Sequence, residues 1–257
     1  MTGEATAVDR NLDLAMQWFG AGCKAGEVVA LPGIKLVTSG LQYGVFNSAL
    51  FTQPVAHEVG DVDRLLGAAE KHYGERRLPW SLWWCEDAFE VGLRDRMEGL
   101  CERHRLRLLM DTPGMYAQRL LAPTRELPPL EVLKVDSSST RGAFAHITSV
   151  AFQIPFAVCQ EVYGGERTWV DGFNGFVGLH QGVPVATAAT LSSGGVAGVY
   201  SVATLPQHRR HGFAEAIMRH ALSDGAASVL QATDSGLALY QQMGYRTVTR
   251  FRVYISK

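Results

Sequence analysis

A short turn at residues 209–214, with the sequence Arg-Arg-His-Gly-Phe-Ala, carries the clearest chemistry in the chain. An apolar run at residues 199–203 precedes the turn, and a helical pattern at residues 213–222 follows it. This order predicts a strand, a glycine-bearing turn and the first turn of a helix. Backbone N–H groups at such a turn converge on an anion, and the helix dipole adds to their attraction. The turn is therefore a candidate phosphate-binding site.

Each residue type in this turn suits contact with a phosphate group. Gly212 permits backbone torsions and a close approach that a Cβ atom would obstruct. Arg209 and Arg210 place positive charge beside a negatively charged ligand. Ala214 keeps the start of the helix narrow. A glycine turn before a helix is common in proteins, so a second motif is needed to indicate a particular ligand.

Residues 239–245, Leu-Tyr-Gln-Gln-Met-Gly-Tyr, supply that second motif. The two motifs, with Pro206 ahead of the turn, resemble the GNAT superfamily of N-acetyltransferases. Its members combine an apolar strand end, a proline, an Arg/Gln-x-x-Gly-x-Gly/Ala turn and a downstream Leu-Tyr-x-x-x-Gly-Phe segment. The resemblance covers about the last half of the chain. It implies the GNAT acyl-CoA N-acyltransferase fold, an α/β fold with a mixed sheet, and acetyl-coenzyme A (acetyl-CoA) as the cosubstrate.

The order of the predicted elements in this half resembles the GNAT core. Gly182 and the pair Gly194-Gly195 predict two hairpin turns that join three antiparallel strands. Gly244 predicts the end of the last helix. The predicted elements are a strand at 130–135, helices at 144–152 and 155–163, strands at 175–179, 183–191 and 196–203, a helix from 213, a strand at 228–231, a helix at 235–243 and a strand at 247–255.

The resemblance also implies which residues hold the coenzyme. The backbone of Val202, Ala203 and Thr204 is expected to pair with the pantetheine arm like an added strand, with one N–H directed at the thioester oxygen. Thr233 stands where many members have Asn, and it can still make one side-chain hydrogen bond to that arm. The diphosphate is assigned to the turn, through Arg209, Arg210, His211, Gly212, Phe213 and Ala214.

Tyr240 is the candidate catalytic residue, also through the resemblance. The matching tyrosine of the family lies near the coenzyme sulfur, where a phenol can protonate the departing thiolate. The unperturbed pKa values of a thiol and a phenol are about 8.5 and about 10. Packing on an amphipathic helix is the alternative role. Gly236 stands three residues before Leu239, where the family more often has Ala.

The sequence does not identify the general base that would deprotonate an ammonium acceptor. The predicted strand at residues 196–203 contains no carboxylate. Ser201 and Tyr163 could position a water molecule. The candidate bases are Glu161, Asp171, Asp234 and His146, and for each of them a surface or capping role is the favoured interpretation.

The segment at residues 121–129 predicts a linker because three prolines within it oppose both helix and central strand. It divides the chain into an α/β domain at residues 1–128 and a GNAT N-acetyltransferase domain at residues 129–257. The first domain resembles a degenerate GNAT-like domain. It has no coenzyme turn of its own, which predicts that it binds no coenzyme. A lid that shapes the acceptor site is the alternative.

The first half alternates predicted strands and helices. Asp61 is expected to cap a helix whose buried face runs from Val62 to Tyr73. Residues 87–90 resemble a capping box before a second helix. The tryptophans of residues 80–84 could line a substrate pocket, but a buried aromatic strand is the favoured interpretation. The predicted strands lie at 34–37, 44–46, 81–85 and 106–110.

Composition limits the classes of function. The 257 residues are 47% apolar with a formal net charge of −1, which argues against a broad nucleic-acid-binding surface. We expect no membrane span and no signal peptide. The four cysteines form no Cys-x-x-Cys pair, which favours reduced thiols in a cytoplasmic protein. The spacing of His208, His211 and His220 does not resemble a zinc motif, so no metal is expected.

Two functional hypotheses follow. The first is an N-acetyltransferase in which an amine attacks acetyl-CoA directly, without a covalent acyl-enzyme. Its acceptor could be a small-molecule amine or a protein amine, because the near-neutral chain provides no field that selects one. The alternative is a non-catalytic acyl-CoA-binding regulatory or sensor module. A homodimer is compatible with the resemblance, since relatives often pair through their last strands.

Overall fold

A computed structural model of the chain describes residues 1–52, 58–169 and 172–257. Within those residues the chain forms seven α-helices and eleven strands. The helices are α1 Gly3–Ala21, α2 Val59–Glu75, α3 Val91–Arg103, α4 Ser138–Phe152, α5 Phe156–Tyr163, α6 Phe213–Ala221 and α7 Asp234–Gln242. The strands are β1 Glu27–Leu31, β2 Ile34–Thr38, β3 Ser48–Phe51, β4 Ser81–Cys85, β5 Leu106–Ala117, β6 Glu131–Lys134, β7 Phe173–His180, β8 Val183–Ser193, β9 Val196–Thr204, β10 Ala227–Gln231 and β11 Arg246–Ser256.

All eleven described strands form one mixed sheet in the order β1-β2-β3-β4-β11-β5-β10-β9-β8-β7-β6. The pairs β3–β4 and β9–β10 are parallel, and helices α2 and α6 form their crossovers. The other strand pairs are antiparallel. The mixed α/β fold predicted from the sequence is therefore confirmed.

The two halves of the chain exchange strands at the centre of the sheet. The last strand, β11, lies between β4 and β5 of the first half. Strand β5 in turn pairs with β10 of the second half, from Ser228–Ala117 to Gln231–Gly114. Within the described range 58–169, residues 118–130 form neither helix nor strand. The predicted linker is thus irregular, while the sheet runs continuously through both halves.

Helix α1 joins the two halves on one face of the sheet, and the sequence analysis did not predict it. The hydroxyl of its N-cap, Thr2, accepts a hydrogen bond from the Ala5 N–H at 3.2 Å. Phe19 packs edge-on against aromatic rings from both halves, including Phe46 and Tyr200. Apolar side chains at helical spacing, the signal for this helix, are buried at Ala5, Val8, Leu12, Ala15, Met16 and Phe19.

The first half departs from its predicted details in three places. Residues 44–46 form a 3₁₀ turn instead of a strand, and the strand begins at Ser48. Asp61 lies inside the first turn of α2, where it faces the helix dipole, and the N-cap is Glu58. No capping box starts α3, because Asp87 accepts a hydrogen bond from Arg94 at 3.2 Å instead. Strand β1 was not predicted.

The main elements of both halves are confirmed. The five apolar residues predicted on α2 are all buried, and Ser81–Cys85 is a strand with Trp84 buried in the core. In the second half the elements follow the predicted order. Helix α4 is longer than predicted, because Ser137 and Thr140 form a capping box ahead of the predicted start. Among the described helices, none is both long and apolar enough to cross a membrane.

A half-buried carboxyl group on α1 is expected to make the stability depend on pH. Burial and the neighbouring Asp13 raise the pKa of Asp9 from 3.8 to about 7, while Arg10 acts in the opposite direction. Between those two values the folded chain binds more protons than the unfolded chain, so stability falls as the pH rises. We expect Asp9→Asn to remove a slope of up to about 1.4 kcal/mol per pH unit.

Urea unfolding at about pH 5 and about pH 8 measures this slope. Asp95→Asn, an exposed position on α3, is the matched control and should leave the slope as it is in the original chain. An Asp9→Asn variant that keeps the full slope would contradict the assignment of the titration to Asp9.

Candidate functional site

Strands β9 and β10 separate near the middle of the sheet. They pair at Val196–Ala227, Ala197–Ser228 and Gly198–Val229, and the pairing stops there. Strand β9 continues to Thr204, held on its other side by β8 through Ala186–Thr204. Within the described residues, the edge of β9 that faces β10 is therefore unpaired over residues 199–204. An extended ligand could add to this edge as a strand does.

A β-bulge lies in this unpaired stretch. Tyr200 pairs with Ala189 and Ala203 with Thr187, so β9 has one more residue than β8 between these pairs. Ser201 occupies the bulge with a φ of 50°, which is uncommon for a residue with a side chain. The Thr187 hydroxyl donates a hydrogen bond to the Ser201 carbonyl at 2.9 Å and fixes the bulge. Bulges of this kind redirect backbone groups beside active sites.

The turn after β9 presents free N–H groups at the start of α6. Pro206–His208 forms a 3₁₀ turn, and Gly212 is the N-cap of α6 with a φ of 94°. Gly212 has no side chain with which to cap the helix, and the first intrahelical bond runs from Ala216 N–H to Gly212 O. The N–H groups of the first turn are thus available to an anion.

A cleft of about 440 Å³ opens beside this turn and the unpaired edge of β9. Tyr240 lines the cleft together with nine of the ten residues that the sequence analysis assigned to the coenzyme. His211 is the exception, since its exposed ring packs 6.2 Å from the Phe213 ring. The nine are Val202, Ala203, Thr204, Arg209, Arg210, Gly212, Phe213, Ala214 and Thr233.

The charged side chains of the cleft are arranged differently from what the sequence alone indicates. The Arg209 guanidinium donates hydrogen bonds to the carbonyls of Thr204 at 3.3 Å and Ala151 at 3.1 Å. It therefore ties the end of β9 to the end of α4. Glu215, only 2% exposed, lies 2.7 Å from Arg219 in an ion pair. Arg210 is exposed at the rim.

Tyr240 forms part of the wall opposite the turn. Its ring packs edge-on against Tyr245 at 6.0 Å, and the residue is 8% exposed. Burial raises the pKa of the Tyr240 phenol to about 12. The hydroxyl is consequently protonated at neutral pH. It makes no hydrogen bond with the residues that the structure describes, so it is available as a donor.

The Tyr240 ring packs directly against Gly236, whose lack of a side chain leaves room for it. The Cβ of an alanine at this position would lie 2.7 Å from Cε2 of Tyr240, too close for the ring to stay. We expect Gly236→Ala to displace the ring and to lower thermal stability, although Ala ordinarily favours a helix over Gly by about 1 kcal/mol. Gly99→Ala on α3, where a Cβ meets open space, is the control and should raise the melting temperature. Equal gains in both variants would contradict the packing role of Gly236.

None of the described candidate bases lines the cleft. The Glu161 carboxylate accepts a hydrogen bond from the Lys24 N–H at 2.8 Å, and His146 packs 6.2 Å from the Phe156 ring. Asp234 is exposed in the first turn of α7. Asp171 lies outside the described residues. The hydroxyls of Tyr163 and Ser201 are 3.1 Å apart at the bulge.

The cleft also contains residues that the sequence analysis did not single out. Arg125 reaches it from the irregular segment after β5, and Phe152 from the end of α4. No local motif marks either position, because the tertiary fold brings them to the turn. Among the described residues, no group of three His, Cys, Asp or Glu is placed to hold a metal ion.

Comparison with known proteins agrees with this geometry. Residues 166–247 match the family model of the acetyltransferase (GNAT) domain, and this range contains the unpaired edge of β9, the turn and Tyr240. No curated protein matches the sequence.

Solved structures share the fold over nearly the whole chain. A GCN5-related N-acetyltransferase from Kribbella flavida has a TM-score of 0.71 at 19% identity, and the alignment covers 96% of this chain and 95% of that one. One from Sphaerobacter thermophilus has a TM-score of 0.55 at 16% identity, covering 87% and 76%. A tandem GNAT protein from the clavulanic acid biosynthesis pathway has a TM-score of 0.53 at 10% identity, covering 96% and 95%. Residues 166–247 therefore match the GNAT acetyltransferase domain, and the chain shares the fold of the GCN5-related N-acetyltransferases.

Proposed function

We propose that the protein transfers the acetyl group of acetyl-CoA to an amine by direct attack. The observation that carries this proposal is the convergence of three features on one cleft. These are the unpaired edge of β9, the free N–H groups at the start of α6, and the unpaired hydroxyl of Tyr240. The match of residues 166–247 to the GNAT domain model supports acyl transfer from an acyl-CoA in general, and the choice of acetyl and amine is our inference.

The residues of the cleft fit the parts of the coenzyme. The first turn of α6 would hold the diphosphate. Because Gly212 has no side chain, it leaves the N–H groups of this turn uncapped and leaves room for the phosphates. The backbone of Val202, Ala203 and Thr204 would pair with the pantetheine arm, and the bulge at Ser201 would turn an N–H toward the thioester. Bound acetyl-CoA supplies an activated acyl carbon and a thiolate leaving group.

In the proposed reaction the acetyl group moves from the sulfur of the coenzyme to the nitrogen of the amine. The amine nitrogen bonds to the thioester carbon, the carbon–sulfur bond breaks, and the sulfur takes a proton from Tyr240. The nitrogen loses a proton to a water molecule, which the hydroxyls of Tyr163 and Ser201 would position, and the Tyr240 phenolate regains its proton from that protonated water through the solvent. Burial raises the pKa of Tyr240 to about 12, and the same dry surroundings raise the proton affinity of a departing thiolate.

The cysteines support direct attack over a covalent acyl-cysteine. All four are free and buried, and none of them lines the cleft. Burial raises the pKa of Cys85 to about 11 and those of Cys23, Cys101 and Cys159 to about 12, so the nucleophilic thiolate is scarce at neutral pH. Free thiols also support a reducing compartment, and we place the protein in the cytoplasm.

A non-catalytic acyl-CoA sensor is the second candidate function. One observation favours it, namely that Glu215 is the sole carboxylate among the described residues that line the cleft and is already paired with Arg219. Such a module would bind the coenzyme and release no thiol.

We propose that residues 1–128 are a degenerate GNAT-like half and that residues 129–257 are the catalytic half. Two strand–helix–strand crossovers with parallel strands, β3–α2–β4 and β9–α6–β10, support this division. The free N–H groups at a glycine N-cap belong to the second crossover, since the N-cap of α2 is Glu58.

Thiol release from acetyl-CoA, measured against a panel of small primary amines and peptide N-termini, tests the proposed function. The enzyme hypothesis predicts amine-dependent release with at least one member of the panel. Coenzyme binding without release on any amine supports the sensor. Absence of coenzyme binding contradicts both.

A further inference from the structure

The irregular segment after β5 is attached to the second half by specific contacts. The Leu121 N–H donates a hydrogen bond to the Met243 carbonyl at 2.9 Å, and the Arg219 guanidinium donates one to the Leu121 carbonyl at 2.7 Å. The Gln242 amide donates another to the Thr124 hydroxyl. The segment thus lies in a fixed position against α6 and the end of α7.

This attachment brings the next residues onto the turn that begins α6. An ideal Cβ built on Gly212 would be 3.0 Å from Cδ of Pro128 and 3.4 Å from Nη2 of Arg125. The Arg125 guanidinium therefore stands at the N-cap of α6, and Arg125 lines the cleft. The two residues are 87 positions apart in the sequence, which is why no sequence motif indicates the contact.

Arg125 differs from Arg209 and Arg219 in having its charge free. Arg209 donates to two backbone carbonyls, and Arg219 is paired with Glu215. Arg125 is exposed and has no ion pair or hydrogen bond with the described residues. An unpaired guanidinium beside free helix N–H groups matches an anion with several oxygens, because its planar fork can donate two parallel hydrogen bonds.

We propose that Arg125 binds the diphosphate of the coenzyme, so that the segment between the halves forms part of the coenzyme site. This inference rests on the proposed function. It assigns to Arg125 the side-chain contact that Arg209 is not free to make. The free charges at the diphosphate are then Arg125, from the segment between the halves, and Arg210, from the turn itself.

The test is calorimetric titration of Arg125→Gln with coenzyme A and with 3′-dephospho-coenzyme A, which keeps the diphosphate. A lost charge-assisted contact should raise Kd about tenfold to hundredfold, by the same factor for both ligands. Arg119→Gln is the matched control, since Arg119 is exposed in the same irregular segment and does not line the cleft. It removes the same charge and should bind both ligands as the original chain does.

The outcomes separate this inference from the function on which it rests. If the original chain binds no coenzyme, the proposed function fails. If it binds and Arg125→Gln binds equally well, the role of Arg125 fails. If Arg125→Gln weakens binding of coenzyme A alone, Arg125 contacts the 3′-phosphate. If Arg119→Gln weakens binding as much as Arg125→Gln does, the effect comes from net charge and not from a contact. Either result overturns the diphosphate contact.

Discussion

Gly212→Glu is expected to abolish binding of coenzyme A, with Kd rising more than hundredfold by calorimetric titration. Gly212 has a φ of 94°, so any side chain there adopts a backbone conformation that costs about 1–2 kcal/mol. The new Cβ would meet Pro128 at 3.0 Å, and the carboxylate would place negative charge where we propose that the diphosphate binds. The negative charge would repel the diphosphate directly. The strain and the crowding would displace the backbone N–H groups that we propose hold it.

Gly225→Glu is the control that separates loss of binding from loss of fold. Gly225 also has a positive φ, of 72°, but a Cβ there meets open space. This variant adds the same side chain and a comparable backbone strain outside the cleft, and it should bind coenzyme A normally. Full binding by Gly212→Glu, or equal loss in both variants, would contradict a diphosphate site at the start of α6.

Tyr240→Phe is expected to lower kcat about hundredfold and to leave KM for acetyl-CoA nearly unchanged. A positioned general acid contributes about 10²- to 10⁴-fold to a rate, and Phe keeps the ring that packs on Gly236 and Tyr245. Burial raises the pKa of Tyr240 to about 12, so its deprotonation should not limit the rate below about pH 11. Steady-state kinetics with the best amine of the panel measure the effect.

Tyr245→Phe provides the matched control for Tyr240. Tyr245 is also buried, its ring packs against that of Tyr240, and its hydroxyl lies 2.6 Å from the Ser228 hydroxyl. It does not line the cleft. Removing this hydroxyl should reduce stability while kcat stays close to its original value. Similar kcat values for both variants would show that Tyr240 packs and does not donate a proton.

The sequence was sufficient for the second half because local signals and tertiary structure agree there. Hairpin glycines, the apolar strands and Gly244, whose φ is 100°, all mark elements that the structure contains. The cleft follows from backbone geometry at the turn, which Gly212 and Ala214 indicate locally. Nine of ten assigned coenzyme residues line one cleft for this reason.

The first half was harder to predict because its local signals compete with tertiary contacts. Asp61 and Asp87 are typical capping residues, yet the N-caps of α2 and α3 are other residues. The Asp87 carboxylate instead accepts a hydrogen bond from Arg94. Helix α1 was not predicted, although its apolar residues recur at helical spacing. The exchange of β5 and β11 between the halves has no local signal at all, since it depends on pairing between distant strands.

The roles of the arginines in the cleft also depend on tertiary contacts that the sequence does not indicate. Sequence proximity assigned Arg209 to the phosphate, whereas its guanidinium reaches the carbonyls of Ala151 and Thr204. Arg125, distant in sequence, brings a guanidinium with no partner among the described residues to the turn. Only the folded chain shows which of several arginines has its hydrogen bonds already made.

A crystal structure of the protein with coenzyme A would test the central claim most directly. The account predicts diphosphate oxygens on the N–H groups at the start of α6, the pantetheine arm along residues 202–204 of β9, and the thiol within reach of the Tyr240 hydroxyl. A coenzyme bound elsewhere, or a thiol far from Tyr240 with β9 unoccupied, would contradict it.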